Sequence, residues 1–218
     1  MIVSLTAADA TKLEACLAGD GVAVIPTDTV YGLTCNPDSA IAVRRVYALK
    51  QRPPVKPAAV MFFALDPALR ALPELGPRAR AALGALLPGP VTLLLGNPRG
   101  RFPLASDPDG ATAGSAGPLR SATLGVRVPL LEGPLAALSG VGVPAMQSSA
   151  NLSGGPDPRR LADVPAELRE SADLVLDGGE LPGTASTVID LHDYEQTGTW
   201  QIVRKGPLER PALERLLG

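Results

Sequence analysis

Val22-Ala23-Val24-Ile25-Pro26-Thr27-Asp28-Thr29-Val30-Tyr31-Gly32-Leu33 is the stretch on which the fold of this chain turns. Its first four residues form an unbroken apolar run that reads as a strand buried on both faces. That strand runs straight into Pro, two hydroxyls, a carboxylate and a Gly. Such a sequence is a poor way to extend a core and a good way to aim polar groups from a strand end into a crevice. Pro-Thr-Asp-Thr is also acceptable turn chemistry, but the segment is not a tight two-residue hairpin.

Outward from this strand, apolar runs and helical patterns alternate. Residues 7–18 place Ala10, Leu13 and Leu17 at helical spacing with Thr6 as N-cap. Ser39 caps a helix whose apolar face is Ile41, Val43, Val46 and Leu49 and whose end delivers Lys50; Pro53-Pro54 stops it. Further strands are expected at 58–63, 91–95, 122–128, 143–146, 174–176, 187–191 and 200–203. Helices are expected at 67–72, 78–87, near 134–138, from a cap at Asp163 to 169, and at 211–217, where Pro211 suits the first turn. The pattern is α/β, and the strand-rich second half predicts a mixed rather than purely parallel sheet. Residues 96–121 are rich in Gly, Pro, Ala and Ser without hydrophobic period, and read as a long flexible surface loop: a tolerated insertion or a functional lid.

A length of 218 residues favours one domain over 1–218, large enough to bury most of its apolar surface unstapled. With aromatics at 3%, the core must be built from Val, Leu, Ile and Ala. A net charge of −2 gives no global field for nucleic acid. Cys16, Cys35 and the single His192 make no zinc pattern, so no protein metal site is expected. Reduced thiols, no signal peptide and no membrane-length apolar run give the expectation of a cytoplasmic protein without membrane contact. His192 reads as a surface residue and Cys35 as a structural thiol.

Three segments stand out as site candidates. The first is Thr27, Asp28, Thr29 and Tyr31. The second is Lys50, Arg52 and Lys56, three cations beside a rigid Pro-Pro, where an Arg fork and Lys point charges suit a polyphosphate; a solvated helix end is the plainer account. The third is Ser148, Ser149 and Asn151 in Gln147-Ser148-Ser149-Ala150-Asn151-Leu152-Ser153-Gly154, where small hydroxyls and free backbone N–H groups can cradle an anion. Arg127, a cation in an apolar strand, needs an anionic partner. Neither a G-x-x-x-x-G-K-(S/T) loop nor a Rossmann G-x-G-x-x-G is present.

In order, these segments resemble the YrdC/TsaC family, the threonylcarbamoyl-adenylate synthases. Pro26 to Gly32 resembles its Pro-Thr-(Asp/Glu)-(Thr/Ala)-Val-(Tyr/Phe)-Gly signature. Lys50-Gln51-Arg52 and Ser149-Ala150-Asn151 resemble its Lys-x-Arg and Ser-x-Asn motifs, with Gln147-Ser148 where Thr commonly precedes Ser. Gly125 to Pro129 resembles a Gly-x-Arg-x-Pro strand, residues 185–190 a Pro-Ser-Thr-(Val/Ile)-(Val/Ile)-Asp segment with Ala for Pro, and Arg204-Lys205-Gly206 an Arg-x-Gly strand end.

The resemblance implies a YrdC-like open twisted sheet flanked by helices and a short single-domain enzyme. It implies L-threonylcarbamoyladenylate and pyrophosphate made from ATP, L-threonine and bicarbonate, with Mg2+ accompanying ATP. It places Lys50, Arg52, Ser149, Asn151 and Arg204 at ATP, Lys50 and Arg52 being catalytic. It places Thr27, Thr29, Tyr31, Lys56, Arg127, Ser148 and Ser186 at threonine, with the Tyr31 ring as a wall. A downstream tRNA threonylcarbamoyl transferase complex and weak RNA binding are the implied partners. Lys50→Ala and Arg52→Ala are expected to lose activity while folding normally. The alternatives are an RNA-binding module of the same fold, which scarce aromatics disfavour, and a carbamoyl-transfer domain, whose usual cysteine-rich zinc motifs are missing.

Overall fold

The computed structural model describes residues 4–53, 58–106 and 123–218. Among them the helices are α1 (Ala7–Ala18), α2 (Ala40–Leu49), α3 (Leu65–Ala71), α4 (Pro77–Leu86), α5 (Pro103–Ser106), α6 (Ala166–Ser171), α7 (Tyr194–Thr197) and α8 (Arg210–Leu217). The strands are β1 (Val22–Ile25), β2 (Gly32–Cys35), β3 (Ala59–Met61), β4 (Val91–Gly96), β5 (Thr123–Arg127), β6 (Ala145–Ser149), β7 (Leu174–Val175), β8 (Thr187–Leu191) and β9 (Gln201–Arg204). All nine of these form one sheet in the order β7-β1-β2-β6-β3-β5-β4-β8-β9. It is mixed, as the composition of the second half predicts: β3–β5 and β4–β8 are parallel, β2–β6 and β4–β5 antiparallel.

Side-chain alternation divides the sheet into two unlike faces. Val24, Leu33, Val60, Leu93, Val126 and Met146 point to one face and pack with α2, α4 and α8 in the main core. On the other face Ala23, Ile25, Met61 and Ala145 pack only at one end, under α1 and the 3-10 turn Gly133–Gly140. The rest of that second face carries Ala59, Thr92, Gly125, Arg127, Gln147 and Ser149, and it lines a cleft.

α1 follows its sequence signal closely: Thr6 and Asp9 form a reciprocal capping box. Four local expectations need correction. Gly32–Cys35 is a full strand, since β1 and β6 flank it on both sides and supply the pairing its short sequence does not advertise. β6 runs through polar Gln147–Ser149 because β2 and β3 pair it there. Asp163 does not cap a helix to Arg169. Its carboxylate accepts the Arg159 and Arg160 N–H groups across a 3-10 turn, and α6 starts separately at Ala166. The expected loop at 96–121 is ordered over its first part: Asn97 is buried and ties back to Arg101, ahead of α5, while the remainder of that loop from 107 lies outside the described residues.

Candidate active site

The cleft encloses about 290 Å³ over the centre of the sheet. Its floor is low because Ala59 and Gly125 are small. A Cβ on Gly125 would already touch the Ala59 backbone at 3.3 Å. Arg52, Arg127 and Arg204 converge on its wall with the hydroxyls of Thr92, Ser148 and Ser186, and none of its described lining residues is Asp or Glu. Burial, with Arg127 and Arg52 adding to it and Asp157 opposing them, lowers the Arg204 pKa. The three guanidinium groups therefore share one field.

Arg127 stands at the end of β5, 3% exposed. Its Nη2 donates to Asp28 Oδ1 at 2.5 Å, to Thr29 Oγ1 at 2.5 Å and to Thr27 Oγ1 at 3.2 Å. Asp28 is the anionic partner that a cation in an apolar strand requires, and its other oxygen accepts the Leu130 N–H at 3.0 Å. Thr27 and Thr29 are wholly buried beneath this pair, with the Thr27 hydroxyl donating to Val30 O at 2.7 Å. The Pro-Thr-Asp-Thr loop is thus a cradle for Arg127. Among the described residues Arg127 Nε is buried without a partner.

Gln51 separates the two cations of the Lys-Gln-Arg segment. At φ +49° it lies in the left-handed region, which costs a non-glycine residue, and it sends its neighbours in different directions. Lys50 turns inward to 1% exposure, where Nζ donates to Ser149 O, to Asn151 O at 2.6 Å and to Asn151 Oδ1 at 3.1 Å. Ser149 Oγ donates to Asn151 Oδ1 at 2.8 Å, and Asn151 Nδ2 donates to Gly155 O at 2.6 Å. Lys50 and Asn151 therefore clamp the turn after β6. Burial first, then Arg52, pushes the Lys50 pKa down to about 8. Arg52 stays on the cleft wall, its Nη1 3.5 Å from Ser148 Oγ and its guanidinium over the Tyr47 ring.

On the far wall Ser186 Oγ bonds Thr92 Oγ1 at 2.8 Å, and Arg204 Nη2 donates to Ser186 O at 2.8 Å and to Ser186 Oγ at 3.1 Å. The structure thus brings Arg52, Arg127, Ser148, Ser149, Ser186 and Arg204 to one cleft, with Thr27 and Thr29 beneath Arg127. Lys50, Asn151 and Tyr31 are not on its wall. The Tyr31 ring is a correction: alternation turns Tyr31, Leu33 and Cys35 to the helix-covered face and leaves only Gly32 and Thr34 on the cleft face. The Tyr31 hydroxyl accepts Gly178 N–H at 3.0 Å and lies 2.9 Å from Asp177 Oδ1 and 2.8 Å from Gly179 O. The burial of the Lys50 ammonium among three acceptors argues against the expectation that a Lys50 variant folds normally. Lys56 lies outside the described residues. Cys35 is structural as expected, its thiol pushed up to about 12 by burial, and His192 pairs with Thr123 at 3.1 Å.

Sequence reasoning missed Asp28 as the counter-charge, Thr92 and Gln147. Asp28 itself stands in the first site segment, but its pairing with Arg127, 99 residues further along the chain, is not legible in the sequence. Thr92 carries no signal, sitting inside a strand pattern, and Gln147 stands in the third segment only as the residue before Ser148. No group of three or more His, Cys, Asp or Glu able to hold a metal occurs among the described residues.

A family model described as Telomere recombination, covering Sua5, YciO and YrdC proteins, matches residues 15–206. The chain belongs to this family. Among Sua5/YciO/YrdC relatives, the threonylcarbamoyl-AMP synthase of Pyrococcus abyssi is 31% identical over 197 residues, 88% of this chain and 52% of the relative. That of Chromohalobacter salexigens is 36% identical over 178 residues, 78% of this chain and 85% of the relative. The crystal structure of P. abyssi Sua5 complexed with L-threonine superposes with a TM-score of 0.77 at 27% identity, covering 98% of this chain and 58% of that one. The chain therefore spans about half of the Pyrococcus relative and most of the Chromohalobacter one. The open YrdC-like sheet flanked by helices is the fold these neighbours share.

Proposed function

We propose that the chain is an L-threonylcarbamoyladenylate synthase, forming threonylcarbamoyl-AMP and pyrophosphate from ATP, L-threonine and bicarbonate. The observation that carries this reading is the convergence of Arg52, Arg127 and Arg204 on one cleft whose described wall holds no carboxylate. Such a site fits ligands with several anionic groups. The names of the Pyrococcus and Chromohalobacter relatives support the same reading.

Threonine's amine and bicarbonate give a carbamate, and a carbamate oxygen attacks the α-phosphorus as pyrophosphate departs. No protein nucleophile is needed, so catalysis rests on positioning and charge. Arg52 and Arg204 offset charge on the pyrophosphate, with Ser148 and Ser149 orienting phosphate oxygens. Arg127, held by Asp28, Thr27 and Thr29, presents its unused Nε edge to the threonine carboxylate, and Ser186 lies beside it. Lys50 and Asn151 act by fixing the turn that carries Ser149. The described residues do not fit a resident metal: Asp28 is committed to Arg127, and no cluster of ligands is formed. Mg2+ would arrive with ATP and would help offset the charge of its phosphates. A tRNA threonylcarbamoyl transferase complex would consume the product. Free thiols at Cys16 and Cys35 support a reducing, cytoplasmic setting, and no described helix is long and apolar enough to cross a membrane.

The test is pyrophosphate release from ATP, Mg2+ and bicarbonate with and without L-threonine. Threonine-dependent release is the expected result. Release that ignores threonine, or none at all, would overturn the reading.

A further inference from the structure

One polar side chain on the cleft floor is unused. Gln147 is 6% exposed and lines the cleft, yet its carboxamide makes no hydrogen bond with any described residue. Among the described residues Arg127 Nε alone is both shut from solvent and unpartnered, so the unbonded carboxamide of Gln147 opens onto the cleft with its donor and acceptor free for a ligand. Its place is held on both sides. Across β2 a Cβ on Gly32 would meet Gln147 Nε2 at 2.5 Å and Cγ at 3.1 Å, so any larger residue there would push the amide aside. On the other side Gln147 pairs with Ala59, which pairs in turn with Gly125, so no large neighbour covers the amide.

Register fixes what lies above and below. Gln147, Ala59 and Gly125 form one row across the sheet. One step up, Met61 pairs with Arg127; one step down on β6 is Ser149. A step is two residues, roughly 7 Å. Gln147 thus stands between the Arg127 end of the cleft and the Arg52–Ser148–Ser149 end.

The chemistry of the group narrows its ligand. Phosphate and carboxylate oxygens only accept hydrogen bonds, and guanidinium groups already serve them at both ends. A carboxamide offers a donor and an acceptor side by side, so it matches a ligand presenting an acceptor beside a donor. Resting on the synthase reading, the group between the amino acid and the α-phosphate is the carbamate, which has an N–H beside a C–O. We propose that Gln147 binds this carbamate in a two-bond ring, Nε2–H donating to a carbamate oxygen and Oε1 accepting its N–H, and so sets the bicarbonate dependence of the enzyme. The balance is simple. Threonine's ammonium and bicarbonate form the N–C bond and give N-carboxythreonine, water and one proton released to solvent. The free carbamate oxygen then forms the bond to the α-phosphorus, and the bond to the β-phosphate oxygen breaks, its electron pair leaving with pyrophosphate.

The experiment is steady-state pyrophosphate release by Gln147→Met, which keeps the bulk against Gly32, and by Gly32→Ala, which displaces the amide without deleting it. Bicarbonate is varied in carbonate-depleted buffer at saturating ATP and threonine, then ATP at saturating bicarbonate. Both variants are expected to raise the bicarbonate KM about tenfold or more while the ATP KM stays within about twofold. A merely structural role would move both constants together. An unchanged bicarbonate KM in either variant overturns the proposal, as does a rise confined to ATP, which would instead place the adenine edge on Gln147. Wild-type protein that releases no threonine-dependent pyrophosphate overturns the synthase reading and this proposal with it, and that result needs no variant.

Discussion

Arg127→Met removes one half of a buried ion pair and leaves the other half in place. In the wild type the two side chains are 4% and 8% exposed at 2.5 Å. Taking away the guanidinium leaves Asp28 with the Leu130 N–H alone, while Thr27 and Thr29, 3.1 Å apart, can still bond each other. The cost is therefore dominated by an uncompensated carboxylate, about 3–5 kcal/mol for pairs of this burial. For a chain of this size each kcal/mol moves Tm by about 2–4 °C, so the midpoint should fall by roughly 6–20 °C. Thermal unfolding followed by circular dichroism measures it. Asp28→Asn combined with Arg127→Met removes the orphaned charge and should recover more than half of the loss. Neither variant should regain threonine-dependent pyrophosphate release. A single variant whose midpoint stays within about 1 °C of wild type, or a double variant less stable than the single, would refute this account of the cradle.

The Lys50 pKa of about 8 lies below its ordinary 10.5, so between those values the unfolded chain binds more protons and stability rises with pH. Urea unfolding at pH 7 and pH 9.5 should show wild type gaining on the order of 2 kcal/mol relative to Lys50→Met; a pH-independent difference between them would contradict the buried ammonium. Tyr31→Phe leaves the Gly178 N–H without its acceptor and should cost about 1–3 kcal/mol by the same assay, while the threonine KM stays near wild type; a large change in that KM would return the ring to the pocket wall. Arg52→Ala and Arg204→Ala should each raise the ATP KM by about tenfold or more in the pyrophosphate assay, with Tm little changed for Arg52→Ala; unaltered ATP kinetics would remove these residues from the phosphate side.

Local signals in this chain are strong where a single element suffices to explain them. Thr6 with Asp9, Ser39 before its helix, and the apolar runs of β1, β4 and β8 state their conformations without help, because capping and hydrophobic periodicity act within a few residues. The α/β class and the mixed sheet follow from their alternation, and the ordered motifs identify the family. Residue type also singled out part of the cleft, Arg52, Arg127 and the hydroxyls of Ser148 and Ser149, while Ser186 and Arg204 came only through the family resemblance.

Direction is what those signals lack. A motif says that Lys50 and Arg52 belong together, but only the left-handed turn at Gln51 decides that one is buried as a clamp and the other faces the cleft. Tyr31 and Gly32 are adjacent, yet the pairing of β2 with both β1 and β6 puts the ring in the core and the glycine beneath Gln147. Gln147 itself looks like a stray polar residue until the strand order sets it between Arg127 and Ser149. Side-chain period, register and strand order are properties of the assembled sheet, whose partners come from residues far apart along the chain, and so the sequence could name the chemistry while only the tertiary structure could aim it.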